Sequence, residues 1–449
     1  MPLIHPLEDA IQPRSMVTTP TPMGKSHFAL DTSGLASVFG GPEAIFSLAL
    51  VHVYTGRRWL GWYNSPGSYF LGKLLARIAH ESPILDIISN SGDRSERRPD
   101  AAELFNYDGQ KGPKFRGIYS GTMLDETGHL AALFVKECAE VSATIIPGRQ
   151  TRPTNITIAN LDYPPPTRVS LARFRTHTRA SIGALVPIIV SCGACTVCGY
   201  YRDWYCFSVI SLGIIVNGLS CLVIGSGELI FTHPVPQPGL PLGDGFLTTP
   251  EQIILLKGPE GAVNSVTRGR FSLRFDNGPL FRSIGVCAIL LMLQSVAQLL
   301  LVPQGSLFGQ LMFVASIVVS WLYNLWLSSL DKEKIQRDML MHILRHEQQR
   351  PSLTKFTLGT RTSMAVFATL ASDNKEKARE ILDYLLPNNT GVWQNWKSTI
   401  VDRLDSGRRR LFDESDWSGS QDSQEERLLK MLYRDAQDAY EGFPKTGLH

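Results

Sequence analysis

SIGVCAILLMLQSVAQLLLVPQGSLFGQLMFVASIVVSWLYNLWLSSL, residues 283–330, contains no Asp, Glu, Lys, Arg or His. Pro303-Gln304-Gly305-Ser306 is its one break. A bilayer core of about 30 Å needs roughly 20 apolar helical residues to cross it, so the run predicts two spanning helices, 283–303 and 307–328, joined by a tight turn. A second uncharged pair, 180–201 and 205–227, lies upstream around Arg202-Asp203. A charge at a helix centre costs about 2.5–3.5 kcal/mol on insertion scales, which disfavours reading four clean stretches as a soluble core. The expected fold class is mainly α, an integral membrane protein with two helical hairpins.

The chain has 449 residues, 43% of them hydrophobic, and a formal net charge of +3. That charge is too small to argue for a nucleic-acid partner. A polar N-terminal third and C-terminal quarter dilute the apolar middle, so composition alone looks soluble. Six of the seven cysteines (Cys192, Cys195, Cys198, Cys206, Cys221 and Cys287) fall in the four apolar stretches; Cys138 does not. Small-residue packing explains them better than a secreted disulfide framework. The opening MPLIHPLEDAIQPRSM carries acids and prolines where a leader peptide has an apolar core. The first membrane helix is therefore expected to act as the internal signal.

Cytoplasmic flanks of membrane helices are rich in Lys and Arg. Arg168, Arg173, Arg175 and Arg179 precede the first apolar stretch, and Arg268, Arg270, Arg274 and Arg282 precede the third. Lys332, Lys334 and Arg337 follow the fourth, whereas the opposite ends show only Arg202, balanced by Asp203, and an uncharged turn. Both termini are thus expected in the cytosol, of a cell whose endomembrane or plasma membrane holds the chain. The sequons at Asn155 and Asn388 should then stay unmodified.

Outside the membrane domain of 180–328, residues 1–35 read as a disordered tail and 36–165 as a cytosolic α or α+β domain. Within it, 44–54 is apolar but too short to span, and 66–80 and 126–142 have helical periodicity. Gly56-Arg57-Arg58-Trp59-Leu60-Gly61-Trp62-Tyr63 suits either the headgroup region or a turn between two core helices. The cytosolic loop 228–282 contains a short strand at 253–256, a turn at 257–261, and an alternating stretch through Arg268, Arg270 and Arg274. These arginines, with Arg282, are candidate lipid-headgroup contacts, or topology charge alone. Helices are expected at 360–371, 374–386 and 391–405 within a cytosolic helical region, 331–412. An acidic linker and terminal helix, 413–449, complete the chain.

Chemistry-bearing motifs are few. Met23-Gly24-Lys25-Ser26 lacks the upstream glycine of a phosphate-binding loop. Cys192, Cys195 and Cys198 have no fourth ligand, and His342 with His346 form a single pair. No catalytic residue, metal or cofactor is expected, and the reading leans away from an enzyme. Asn217, Gln294 and Gln298 are polar intramembrane candidates, either bridging helices or lining a solute path. Trp393 and Trp396 are candidate contacts for a cytosolic protein partner, and a homo-oligomer is open.

Leu256-Lys257-Gly258-Pro259-Glu260-Gly261-Ala262-Val263-Asn264, Lys355-Phe356-Thr357-Leu358-Gly359-Thr360-Arg361-Thr362-Ser363-Met364, and Leu385-Leu386-Pro387-Asn388-Asn389-Thr390 followed by Trp393, Trp396 and Lys397 resemble segments of multi-pass membrane proteins of mushroom-forming fungi with no established function. The resemblance covers roughly 170–405. It implies a fungal membrane protein and supplies no site residues. The expectation is a membrane anchor or scaffold presenting cytosolic interaction regions, with an oligomeric channel or transporter for a small polar solute as the alternative.

Overall fold

Among the described residues, three helices are long and apolar enough to cross a membrane: Trp204–Ile224, Ser283–Gln304 and Leu307–Ser328. The computed structural model describes residues 41–53, 59–79, 101–171, 182–275, 278–345, 351–405, 412 and 423–446. The tail 1–35, Arg173, Arg175, Arg179, His346, the acidic stretch 413–422 and the side chain of Arg282 lie outside that description. The chain is mainly helical and divides into two compact units, each built from three separate segments.

The first unit contains α1 (Gly41–Val53), α2 (Ser68–Ile78), α5 (Leu185–Tyr200), α6 (Trp204–Ile224), α8 (Gly278–Leu301) and α9 (Leu307–Ser328). A 3-10 turn, Val302–Gln304, closes α8. The expected boundaries at 205–227, 283–303 and 307–328 hold within a few residues. The stretch expected at 180–201 is described from residue 182 onward and contains a shorter apolar helix. Helix α5 has 16 residues, about 24 Å at 1.5 Å per residue, short of a full crossing by its described length. A turn at Ala184 separates it from the helical residues 182 and 183.

The two interhelical turns meet at one carboxylate. Asp203 Oδ1 accepts from Cys206 N at 3.2 Å and so caps α6. Its Oδ2 accepts from Ser306 N at 2.8 Å and from Ser306 Oγ at 2.6 Å. Ser306 in turn caps α9, its Oγ accepting from Gly309 N at 3.1 Å. Helix N-termini carry unpaired N–H groups and a partial positive charge, so one anion suits both.

The second unit contains α3 (Ala101–Leu104), α4 (His129–Glu140), α7 (Glu260–Thr267), α10 (Lys332–Ile343), α11 (Arg361–Ser372), α12 (Ala378–Leu385), α13 (Gly391–Asp405) and α14 (Ser423–Gly442). Its strands are β1 (Lys114–Gly117), β2 (Met123–Leu124), β3 (Ala143–Ile145), β4 (Thr154–Asn160), β5 (Arg168–Ser170), β6 (Glu228–Thr232), β7 (Gly245–Thr248), β8 (Gln252–Lys257), β9 (Arg270–Arg274) and β10 (Ser352–Leu358). Seven of them form one mixed sheet in the order β2-β1-β7-β8-β4-β10-β3, and β5-β6-β9 form another. The large sheet therefore joins strands from the N-terminal region, the middle loop and the C-terminal region, which the sequence reading kept apart.

The central parallel pair explains why. Residues 156–159 of β4 and 252–256 of β8 are buried on both faces, as expected of a strand with cover above and below. Ile156, Ile158, Ile253, Leu255 and Phe356 meet α11 to α14 in one apolar cluster. On the opposite face, Gln252 Nε2 and Lys355 Nζ donate to the carbonyls of Val135 and Ala139 in α4, at 3.0 and 2.8 Å. The turn out of β8 requires glycine. Gly258 has φ +148°, and a Cβ there would stand 2.1 Å from the Leu161 carbonyl oxygen. Buried Asp244 fixes it by accepting from Gly258 N at 2.8 Å, and burial raises the Asp244 carboxyl above its ordinary range.

Candidate functional site

The polar residues of the first unit gather around a segment that is not helical. Residues 59–67 separate α1 from α2 and pack among the long helices. Asn64 is 0% exposed. Its backbone N–H donates to Ser191 Oγ of α5 at 3.0 Å, and its Nδ2 donates to Ser316 Oγ of α9 at 2.9 Å. A Cβ added at Gly213 of α6 would lie 2.1 Å from Asn64 Oδ1 and 3.3 Å from Gln294 Nε2 of α8. Ser316 is the tenth of 22 residues in α9, and Gly213 the tenth of 21 in α6. Asn64 thus meets both helices at their midpoints.

The rest of the segment is fastened nearer the other ends of the same helices. Asn217 Nδ2 donates to the Gly61 carbonyl at 2.7 Å. Trp62 lies against Gly218, where a Cβ would stand 2.4 Å from the indole. Tyr63 OH donates to Asn324 Oδ1 at 3.0 Å, and Asn324 Nδ2 donates to Ser65 Oγ at 3.3 Å. Gly67, in the left-handed region at φ +79°, turns the chain into α2. Helix α2 then packs on α8, with Gly72 against Ala288, Leu291 and Met292. Irregular backbone inside an apolar bundle is tolerated where protein supplies its hydrogen bonds, and here serines and asparagines supply them.

The candidate residues divide accordingly. Asn217 bridges a helix to the inserted segment. Gln294 is 1% exposed, and neither of its amide atoms has a hydrogen-bond partner; Asn64 Oδ1, Gln298 Nε2 and Ser320 Oγ are likewise unpartnered. The sequence reading identified the glutamines and Asn217 but not the segment that meets them. Of 56–63, the described residues 59–63 lie between α1 and α2, in the unit that holds the long apolar helices.

Arg268, Arg270 and Arg274 are exposed, with Arg270 and Arg274 on one face of β9. Arg168 of β5 shares that face through the register Arg168↔Thr232↔Arg270, while Phe231 and Phe271 are buried on the other. Trp396 is corrected as a surface residue: it is 0% exposed and sits in the core cluster, with Trp393 edge-on at 5.7 Å. Its neighbour Lys397 is also buried, donating to Asp383 and to the carbonyls of Leu386 and Asn388. No group of three or more His, Cys, Asp or Glu among the described residues is arranged to hold a metal. Cys195 meets Ser211 Oγ at 3.0 Å while Cys192 is exposed, so the three spaced cysteines do not converge. No protein family matches the chain, and no curated protein or solved structure resembles it.

Proposed function

We propose that this chain is a four-pass membrane anchor that holds the mixed α/β unit on the cytosolic side, as a scaffold for a protein partner. The reading rests on chain parity. One sheet contains strands from before α5, from between α6 and α8, and from after α9. Strands hydrogen-bond into one sheet only if their segments share a compartment, so the helices between them cross an even number of times. If α6 crosses, α5 crosses with it; α8 and α9 form the second pair. The arginine-rich flanks favour the cytosol for the shared compartment. Arg168, Arg270 and Arg274, with Arg282, then suit anionic lipid headgroups at about 1 kcal/mol each near the surface. Membership of the fungal multi-pass group is likewise a proposal, resting on 256–264, 355–364 and 385–397.

Single cysteines at Met123, Glu251 and Gln394, in a chain lacking the native ones, test this with a membrane-impermeant maleimide. All three should label from one side, and Arg202→Cys from the other. Labelling of the three from different sides ends the proposal.

One observation favours a second reading, a path for a small polar solute through an oligomer. Buried unpartnered amides are costly, and Gln294 and Gln298 contribute three such atoms. Glycerol flux into proteoliposomes should then disappear in a Gln294→Leu, Gln298→Leu chain of unchanged melting temperature. Flux equal to wild type, or none in either, removes this reading.

A further inference from the structure

The second unit contains a cleft of about 760 Å³ at one end of its large sheet. Its walls come from three places. Helix α4 supplies Val135 and Lys136, the ends of β4, β7 and β8 supply Thr154, Thr248 and Ile253, and the first turn of α11 supplies Arg361 and Met364. Val135, Ile253 and Met364 make an apolar floor, and the charged groups stand around it. The volume falls within the range of small-molecule sites, which combine apolar walls with a few polar groups.

The charges around that floor are unevenly paired. Asp125 and Glu126 line the cleft but face Lys114 at 3.6 Å and Lys111 at 2.8 Å. Lys136 is matched by Glu333. Arg152 and Arg361, also on the lining, have no carboxylate partner among the described residues. The Arg361 Nε donates to the Leu385 carbonyl at 3.2 Å, which leaves its outer nitrogens available. Backbone bonds hold the two guanidinium-bearing residues close: Thr151 N and Arg152 N both donate to the Gly359 carbonyl, at 2.9 and 3.1 Å.

Guanidinium forks match carboxylate and phosphate oxygens bidentately. Two unmatched forks beside an apolar floor suit a ligand with an anionic head and an apolar body. We infer that this cleft binds a small organic anion of that kind, its carboxylate or phosphate held by Arg152 and Arg361 and its apolar portion against Val135, Ile253 and Met364. The site goes beyond the anchoring role and is tested without reference to topology.

Hexyl phosphate titrated into the full chain in zwitterionic nanodiscs should bind saturably, and 1-hexanol at least tenfold more weakly. Arg152→Gln should weaken hexyl phosphate about tenfold, and Arg152→Lys less. The Arg152 side chain makes no hydrogen bond among the described residues, so folding should survive its replacement. Arg361→Gln should weaken binding further where its melting temperature matches wild type. Repeating the titration with phosphatidate in the nanodisc separates the sources of the anion: weaker apparent affinity identifies a lipid headgroup, and an unchanged one a soluble molecule. Equal affinity for hexyl phosphate and hexanol, or an Arg152→Gln chain that binds like wild type, overturns the inference.

Discussion

Asp435 of α14 is wholly buried, and Arg149 answers it with two bonds, Nε to Oδ1 at 2.9 Å and Nη2 to Oδ2 at 2.7 Å. Removing one partner of such a pair leaves an uncompensated charge, which costs about 3–5 kcal/mol. Because Arg149 is one-third exposed, at 34%, water can reach the gap and the lower figure is expected for Arg149→Met. The double variant Arg149→Met, Asp435→Asn should recover much of the loss in a thermal melt; no recovery would mean that packing carries the effect. Lys332 gives a pH dependence of defined sign. Its ammonium stands 4.6 Å from the Tyr107 ring centre and donates to the Phe105 carbonyl, yet burial lowers it to about 8. Below that pH, folded and unfolded chains both hold the proton and the burial penalty is constant. Between about 8 and 10 the folded chain alone releases it, so stability should rise by up to about 1.4 kcal/mol per unit. Melting temperatures of wild type and Lys332→Met should converge across that window; parallel curves would remove Lys332 as the cause.

Asp203 ties two helix starts together, so its loss acts on elements rather than on one contact. Asp203→Ala removes a cap from α6 and two bonds to Ser306, and hydrogen bonds to charged groups contribute about 1.5–3 kcal/mol each. It should lower the melting temperature more than Ser306→Ala, which keeps the backbone N–H donor; the reverse order would refute the shared-cap account. Elements were unevenly legible. Helices α13 and α14 follow the expected 391–405 and terminal helix because each buries one face, and period survives in sequence; α11, near the expected 360–371, is buried almost all round. Trp396 of α13 is nevertheless buried where a partner contact is expected, since spacing shows a shared face and not what covers it; Trp393 stays partly exposed. Helix α10 begins anew at the Asp331 cap, whose side chain accepts from Lys334 N at 2.9 Å. Strands were harder. Strand β8 matches the expected 253–256 because its apolar run is continuous, and β9 falls within the alternating stretch through Arg268, Arg270 and Arg274. Strands β4 and β10, TNITIAN and SLTKFTL, mix polar residues into buried positions. Thr357 Oγ1 satisfies Asn155 Oδ1 across the pair at 2.7 Å, a bond between residues some two hundred positions apart that no local pattern reveals.

At the scale of the whole chain, hydropathy and charge made the long helices legible, whereas the assembly of one sheet from three segments was not. The reason is that pairing partners are separated by the membrane helices themselves: β10 bonds β4 antiparallel and β3 parallel, and both partners precede α5. This has a consequence for fragments. A chain ending at residue 330 retains α6, α8 and α9, whose insertion depends on their own apolar length. It lacks β10 and α11 to α14, which bury Ile156, Ile158, Ile253 and Leu255. Burying apolar surface is worth about 25 cal/mol per Å², so four bare core side chains on a sheet without its neighbour leave 101–171 unable to fold stably. Fragment 1–330 should therefore enter membranes yet lose 101–171 to limited proteolysis, and co-expressed 331–449 should restore protection and copurify with it. A protease-resistant 101–171 in the fragment alone would mean that the N-terminal region is a domain in its own right, and the parity argument for four crossings would lose its premise.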